Sequence, residues 1–104
     1  MGRQVIWTPR AEEDLQRICR YLSAEWGSTV LNTFLDTVDG TVERIRIFPH
    51  LFRSSGKADV REALITKHNL LFYRVTADRI FLLTIWDTRR NPESRPFAVA
   101  EPLG

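Results

Sequence analysis

The chain has 104 residues, which is the length of one domain and too short for two independent hydrophobic cores. Hydrophobic residues make up 43% of it and charged residues 27%, so the composition excludes an intrinsically disordered chain. The net charge is only +2, which excludes the strongly basic surface of a protein that coats DNA. We therefore expect one globular domain over residues 1–104, with no sequence-specific DNA binding by this chain alone.

The single cysteine and the N-terminus indicate the cellular compartment of the domain. Cys19 has no second cysteine to pair with, and no Cys/His cluster has the spacing of metal ligands, so we expect neither a disulfide, a metal nor another cofactor. The N-terminus has three consecutive apolar residues, at positions 5–7, before Pro9 and Arg10. This run is too short for a signal peptide or a membrane span, so we expect a cytoplasmic protein that does not contact a membrane.

The N-terminal half predicts a strand followed by two helices. Residues 4–7 are typical of a strand, and Thr8 with Pro9 favours the start of a helix that Gly27 ends. Acidic residues at 12–14 suit the positive end of that helix dipole, which is the simplest explanation for them. Ser28 can cap a second helix, whose apolar residues keep helical spacing up to Pro49. The two-residue connection predicts an antiparallel helical hairpin.

The C-terminal half predicts three strands, over residues 60–66, 70–76 and 80–86. Their three-residue connections leave room only for hairpin turns, so the strands should form an antiparallel meander in an α+β fold. The second and third strands are apolar on both faces, yet the helices can cover only one. The other face is either wrapped by the C-terminal segment or left for a partner, and we expect a loose tail from about residue 93.

Four sequence motifs follow this order of elements: residues 7–15 (WTPRAEEDL) with Ile18 and Tyr21-Leu22; Phe48-Pro49; Val60-Arg61-Glu62; and residues 72–75 (FYRV) followed by 85–92 (IWDTRRNP). In order and spacing they resemble the RelE/ParE toxin superfamily of type II toxin-antitoxin systems, over about residues 5–92. The resemblance implies a toxin of the ParE-like, plasmid-stabilisation type that inhibits growth and is neutralised by a cognate antitoxin.

The superfamily contains both inhibitors of DNA gyrase and ribosome-dependent mRNA endonucleases on one fold, so the site must decide between them. The nuclease branch combines a Lys/Arg cluster with a C-terminal tyrosine or a similar acid/base. Here the segment after Arg90 offers Phe97 instead, and a ring without a hydroxyl cannot transfer protons. This departure favours a gyrase inhibitor that is not itself an enzyme. The alternatives are a RelE-like endoribonuclease and an inactive relative kept as an antitoxin-binding or regulatory module.

Candidate target-binding residues are the arginines on or next to the predicted sheet, since a guanidinium binds phosphate or carboxylate through paired hydrogen bonds. They are Arg89, Arg90, Arg61 and Arg74. The first two follow the last strand and should be exposed, whereas the other two lie within strands and are as easily explained by surface ion pairs. If the protein is a nuclease, the scissile phosphate should contact Arg61, Arg89, Arg90 and His68.

Candidate antitoxin-binding residues are apolar ones of the helical hairpin or next to the tail, along which a partner helix could lie. We assign Trp86, beside the tail, and Leu31 and Leu35 on the second helix to this role. The expected partner segment includes an amphipathic helix that becomes ordered on binding.

Overall fold

The structure is a computed structural model that describes residues 2–57 and 59–97. Two helices and five strands follow one another as β1 (Gln4–Trp7), α1 (Pro9–Trp26), α2 (Ser28–Ile47), β2 (Arg53–Ser54), β3 (Val60–Thr66), β4 (Asn69–Val75) and β5 (Arg79–Asp87). A short 3₁₀-helix (Pro92–Ser94) comes after them. The α+β class, the helical hairpin and the three-stranded meander are thereby confirmed.

The sheet has the strand order β1-β5-β4-β3-β2, which extends the predicted meander on both sides. β1 pairs parallel with β5, so the first strand of the chain lies beside the last. β2 is a two-residue edge strand, antiparallel to β3, which the predicted elements did not include. Because β5 lies between β1 and β4, it joins the two halves of the chain into one domain.

Both helices cover one face of the sheet. The Thr8 hydroxyl accepts a hydrogen bond from the Ala11 N–H at the start of α1, and Pro9 occupies the first turn, as the sequence predicts. The buried side of α2 consists of Phe34, Val38, Thr41 and Ile45. Within the described residues, neither helix is long and apolar enough to cross a membrane.

The opposite face of the sheet, which we call the open face, carries a second and smaller apolar cluster. Its buried members are Val60, Leu70, Phe72 and Trp86. In strand β4 the two faces alternate, because Leu71 and Tyr73 belong to the helix-side core whereas Leu70 and Phe72 belong to the open face. This arrangement explains why β4 is apolar without interruption.

Strand β5 contains a β-bulge at Leu83. The pairing of β5 with β4 shifts there, and Leu83 is the extra residue. Leu82 and Ile85 are three residues apart, yet both belong to the helix-side core, which a regular strand with two-residue alternation would not allow. The bulge therefore turns Trp86 towards the open face.

The Asp14 carboxylate connects helix α1 to this bulge. Its Oδ2 accepts a hydrogen bond of 2.5 Å from the Thr84 hydroxyl and one of 3.0 Å from the Ile85 N–H. Its Oδ1 accepts from Arg17 at 2.8 Å. Asp14 is buried, so the sequence-based explanation from the helix dipole was incomplete: the carboxylate supplies an acceptor inside the fold.

Burial raises the pKa of Asp14, but the hydrogen bonds from Thr84, Arg17 and Ile85 together outweigh it and hold the pKa below its ordinary value. Because the folded-state pKa is the lower one, this carboxylate stabilises the fold above the unfolded-state value of 3.8. The contribution is lost as the pH falls through the folded-state pKa.

We predict that Asp14→Ala lowers the free energy of unfolding by about 3 kcal/mol, because the buried Thr84 hydroxyl and Ile85 N–H lose their acceptor. Urea denaturation at neutral pH measures the loss, and it should shrink as the pH falls below about 4, where the wild-type protein loses the same contribution.

The matched control is Glu13→Ala, which removes an exposed carboxylate from the same helical turn and should cost less than about 0.5 kcal/mol. Equal losses for the two variants, or a loss for Asp14→Ala that does not change with pH, would contradict the role given to Asp14.

Candidate functional site

The structure separates the four candidate arginines into two groups at opposite ends of the sheet. Arg89 and Arg90 follow β5, where Asp87 pairs with Asn69 at the start of β4. Arg74 lies near the other end of β4, five residues further on, which corresponds to about 17 Å along a strand. Arg61 is beside it, on β3. The four side chains therefore do not form one site, and the proposed nuclease set does not meet on one phosphate.

The first group is exposed, as the sequence predicts. The Arg89 guanidinium donates to both carboxylate oxygens of Asp87, at 3.0 and 2.9 Å. Hydrogen bonding from Arg89 lowers the pKa of Asp87 to about 2, so this ion pair is intact at neutral pH. Arg90 is exposed and has no carboxylate within 4.0 Å among the described residues. Of the two, Arg90 has the more available charge.

Two further polar side chains lie at the same end of the sheet. His68 belongs to the turn between β3 and β4, and its carbonyl accepts a hydrogen bond from the Thr88 N–H at 3.0 Å. Tyr21, on α1, is 56% exposed and close enough to Arg89 to contribute to raising the pKa of that guanidinium, after the larger effect of Asp87. Nothing in the sequence assigns Tyr21 to the site, because it lies inside a predicted helix. Helical periodicity does not reveal which side chains lie near the exposed side of a helix.

The second group is engaged with the protein itself. Arg61 is half-buried on the helix side of β3 and donates to the Phe52 carbonyl at 2.7 Å. Arg74 is exposed on the neighbouring strand and lies 3.8 Å from an Asp59 oxygen. Arg61 pairs with Tyr73 across the strands, so Arg61 and Arg74 project from opposite faces of the sheet.

The second tyrosine of the chain is not available for proton transfer. The Tyr73 side chain is fully buried, and its hydroxyl donates to the Pro49 carbonyl at 2.7 Å. Burial raises its pKa to about 12. A phenol with this pKa and no access to solvent does not act as an acid or a base near neutral pH.

The segment after Arg90 folds back over the open face of the sheet, and we call residues 91–97 the strap. The Phe97 ring lies 5.6 Å from the Phe72 ring, and the Arg95 guanidinium lies 5.8 Å from the centre of the same ring. Arg95 also forms an ion pair with Glu62, whose side chain is only 5% exposed. The sequence predicts a loose tail from about residue 93, but Arg95 and Phe97 are fixed by their contacts with Glu62 and Phe72. The rest of the predicted tail, residues 98–104, lies outside the described residues.

The sequence left open whether the C-terminal segment or a partner covers the second face of the sheet, and the strap does so in part. It covers part of the apolar cluster, and Trp86 within that cluster is only 8% exposed. Leu64, on the neighbouring strand β3, remains 57% exposed. The open face is therefore partly wrapped and partly available.

The three candidate antitoxin-binding residues do not share a surface. Leu31 and Leu35 are half-buried on α2, which covers the helix side of the sheet, and Trp86 belongs to the open face. One continuous partner segment would have to pass around an edge of the sheet to contact all three.

Among residues 2–57 and 59–97, no group of three or more His, Cys, Asp or Glu side chains is arranged to hold a metal ion.

The fold is that of solved toxin structures. A chromosomal ParDE toxin-antitoxin system from P. aeruginosa contains a chain that is 19% identical, with a TM-score of 0.72 over 83% of this chain and 96% of that chain. A copper-bound mutant toxin from Helicobacter pylori is also 19% identical, with a TM-score of 0.54 over 83% of this chain and 94% of that one. At these identities the likeness shows the fold alone.

The sequence defines the family more closely. The model of the ParE toxin of type II toxin-antitoxin systems matches residues 5–92, and the chain belongs to this family. No curated protein matches the chain. The match ends at Pro92, so the strap residues that contact the open face lie beyond the part of the sequence that defines the family.

We predict that Arg95→Met destabilises the protein by about 2 kcal/mol, because the buried Glu62 carboxylate then keeps only a peripheral partner. Thermal or urea unfolding of the full chain measures this effect. Arg53→Met is the matched control, since Arg53 reaches the same carboxylate oxygen at 3.5 Å but is 79% exposed. Its loss should stay below about 0.5 kcal/mol, and a greater loss for Arg53→Met than for Arg95→Met would refute the role of the strap.

Proposed function

We propose that this ParE-family toxin inhibits DNA gyrase by binding to it and has no turnover of its own. The observation that carries the proposal is that the strap has Phe97, which packs on Phe72, and no tyrosine, while the Tyr73 hydroxyl is buried. The described residues of the strap thus offer no phenol to the arginines at its start. Binding without chemistry is what these side chains support best.

Arg89 and Arg90 are the proposed contacts with the target. Both are exposed where a strand gives way to irregular chain, so they can reach a partner without a change in the core. The Arg89–Asp87 pair is partly exposed and stabilises the fold little, so Arg89 can exchange this partner for one on the target. Arg61 and Arg74 lie at the far end of the sheet, on its opposite faces, and are separate from these contacts.

A cognate antitoxin is the second proposed partner, and it would neutralise the toxin in the cytoplasm, where gyrase acts. Several apolar side chains of the domain remain accessible to an antitoxin. They include Leu64 on the open face and the half-buried Leu31 and Leu35 on α2. An amphipathic helix that orders on binding would bury such residues without competing for the core.

The purified full-length protein should reduce gyrase supercoiling, and replacing Arg89 and Arg90 together with alanine should weaken this inhibition by about tenfold or more. The loss of two exposed guanidiniums removes charge-assisted contacts, while stability should change by less than about 0.5 kcal/mol. The double variant Arg10→Ala/Arg44→Ala is the control, because it removes equal charge from exposed positions on the two helices. Undiminished supercoiling at saturating wild-type protein would refute the gyrase proposal.

A second candidate function is ribosome-dependent mRNA cleavage, and one observation favours it. Tyr21 places an exposed phenol near Arg89, at the end of the sheet that also carries His68 and Arg90. The four side chains could hold a phosphate and transfer protons there, with Tyr21 in the place of a C-terminal tyrosine.

Primer extension on translated mRNA tests this candidate. If it is correct, induction of the wild-type toxin gives cuts in phase with codons, and Tyr21→Phe reduces them by about a hundredfold while the fold is unchanged, because only a hydroxyl is removed. If growth arrest occurs without cuts, and Tyr21→Phe remains as toxic as the wild type, the nuclease function is excluded.

A further inference from the structure

A cavity of about 280 Å³ lies at the end of the sheet that is remote from Arg89 and Arg90. Its walls come from the turn after α2, from the segment around β2 and from the facing ends of β3 and β4. The polar lining residues are His50, Ser54, Lys57, Asp59 and Arg61, and the remaining ones are Gly56, Val60 and Val75. None of them has a part in the function proposed above, which uses the other end of the sheet.

Arg61 is the most unusual of these lining residues. Its guanidinium has five N–H donors, and the hydrogen bond to the Phe52 carbonyl accounts for one of its nitrogens. Seven of the thirteen arginines lie within 4.0 Å of a carboxylate among the described residues, and Arg61 is one of the six that do not. Arg61 is also half-buried, so its unpaired charge is only partly hydrated. Such a group favours an anion.

The other charges around the cavity leave it positive. Asp59 is the one carboxylate among the lining residues, and Arg74 lies 3.8 Å from it. Lys57 is exposed at the rim and belongs to no ion pair among the described residues. A bound anion would thus meet two cations, Arg61 and Lys57.

We infer that this cavity binds the terminal phosphate group of a small phosphorylated molecule. The planar guanidinium of Arg61 matches two phosphate oxygens, Lys57 supplies a point charge, and the Ser54 hydroxyl supplies a further donor. The volume is slightly below the range of about 300 to 1,000 Å³ that is usual for ligand pockets, which suits a phosphate with a small organic group. A concave site of this size favours a terminal phosphate, because an internal phosphodiester of a nucleic acid carries a sugar on both sides.

Titration of the ¹⁵N-labelled full-length protein with inorganic phosphate and with AMP tests the inference by NMR. We expect saturable shifts of the Gly56, Lys57 and Arg61 amides, with smaller changes at Arg89 and Arg90. Adenosine should give no such shifts. Arg61→Gln should weaken phosphate binding by about tenfold or more, since charge-assisted hydrogen bonds are lost. Lys57→Gln, at an exposed position, tests the same site without disturbing the Phe52 carbonyl and should weaken binding about threefold.

Arg10→Gln is the charge-matched control, because Arg10 is exposed at the start of α1, and it should change the affinity by less than about twofold. Equal weakening by all three variants would overturn the inference, since it would mean general attraction of anions. Binding of an oligothymidylate without terminal phosphates, with shifts of the same amides and equal affinity, would also overturn it in favour of a nucleic-acid backbone. A failure of gyrase inhibition does not affect this test, which measures binding at a separate end of the sheet.

Discussion

The buried hydrogen bonds between Asp14 and the bulge of β5 are the constraint on which the other features depend. β5 pairs with β1 on one side and β4 on the other, so a change in its register would move both. β1 ends opposite Leu82, so it offers no partner to the Ile85 N–H, and the Asp14 carboxylate accepts this N–H together with the Thr84 hydroxyl. One carboxylate on the first helix thereby fixes the register of the last strand.

This register decides what each face of the sheet presents. With the extra residue Leu83 in place, Ile85 faces the helices and Trp86 faces the open side, where it joins Phe72. Without a bulge, alternation from Leu82 would send Trp86 towards the helices and leave the open face without its largest side chain. The surface on which the strap lies is therefore a consequence of a buried polar contact on the opposite side of the sheet.

The sequence predicted the helices and the three long strands because their apolar residues repeat with helical or strand spacing, and because Thr8, Gly27 and Pro49 mark boundaries. It could not predict the bulge, since strand β5 is so apolar that no alternation shows where the register changes. It also gave no sign of the parallel pairing of β1 with β5, which depends on tertiary packing. The sequence could identify the four candidate arginines only by residue type. The strand register and the strand length place them at opposite ends of the sheet.

The strap connects the open face to the exposed arginines through very few residues. Arg90 is five residues before Arg95, and the ion pair of Arg95 with Glu62 fixes the direction of the chain between them. A partner that separated this pair would leave a nearly buried carboxylate without its nearest cation, and it would also free the chain that follows Arg90. The cover of the open face and the exposed arginines therefore belong to one short segment of the chain.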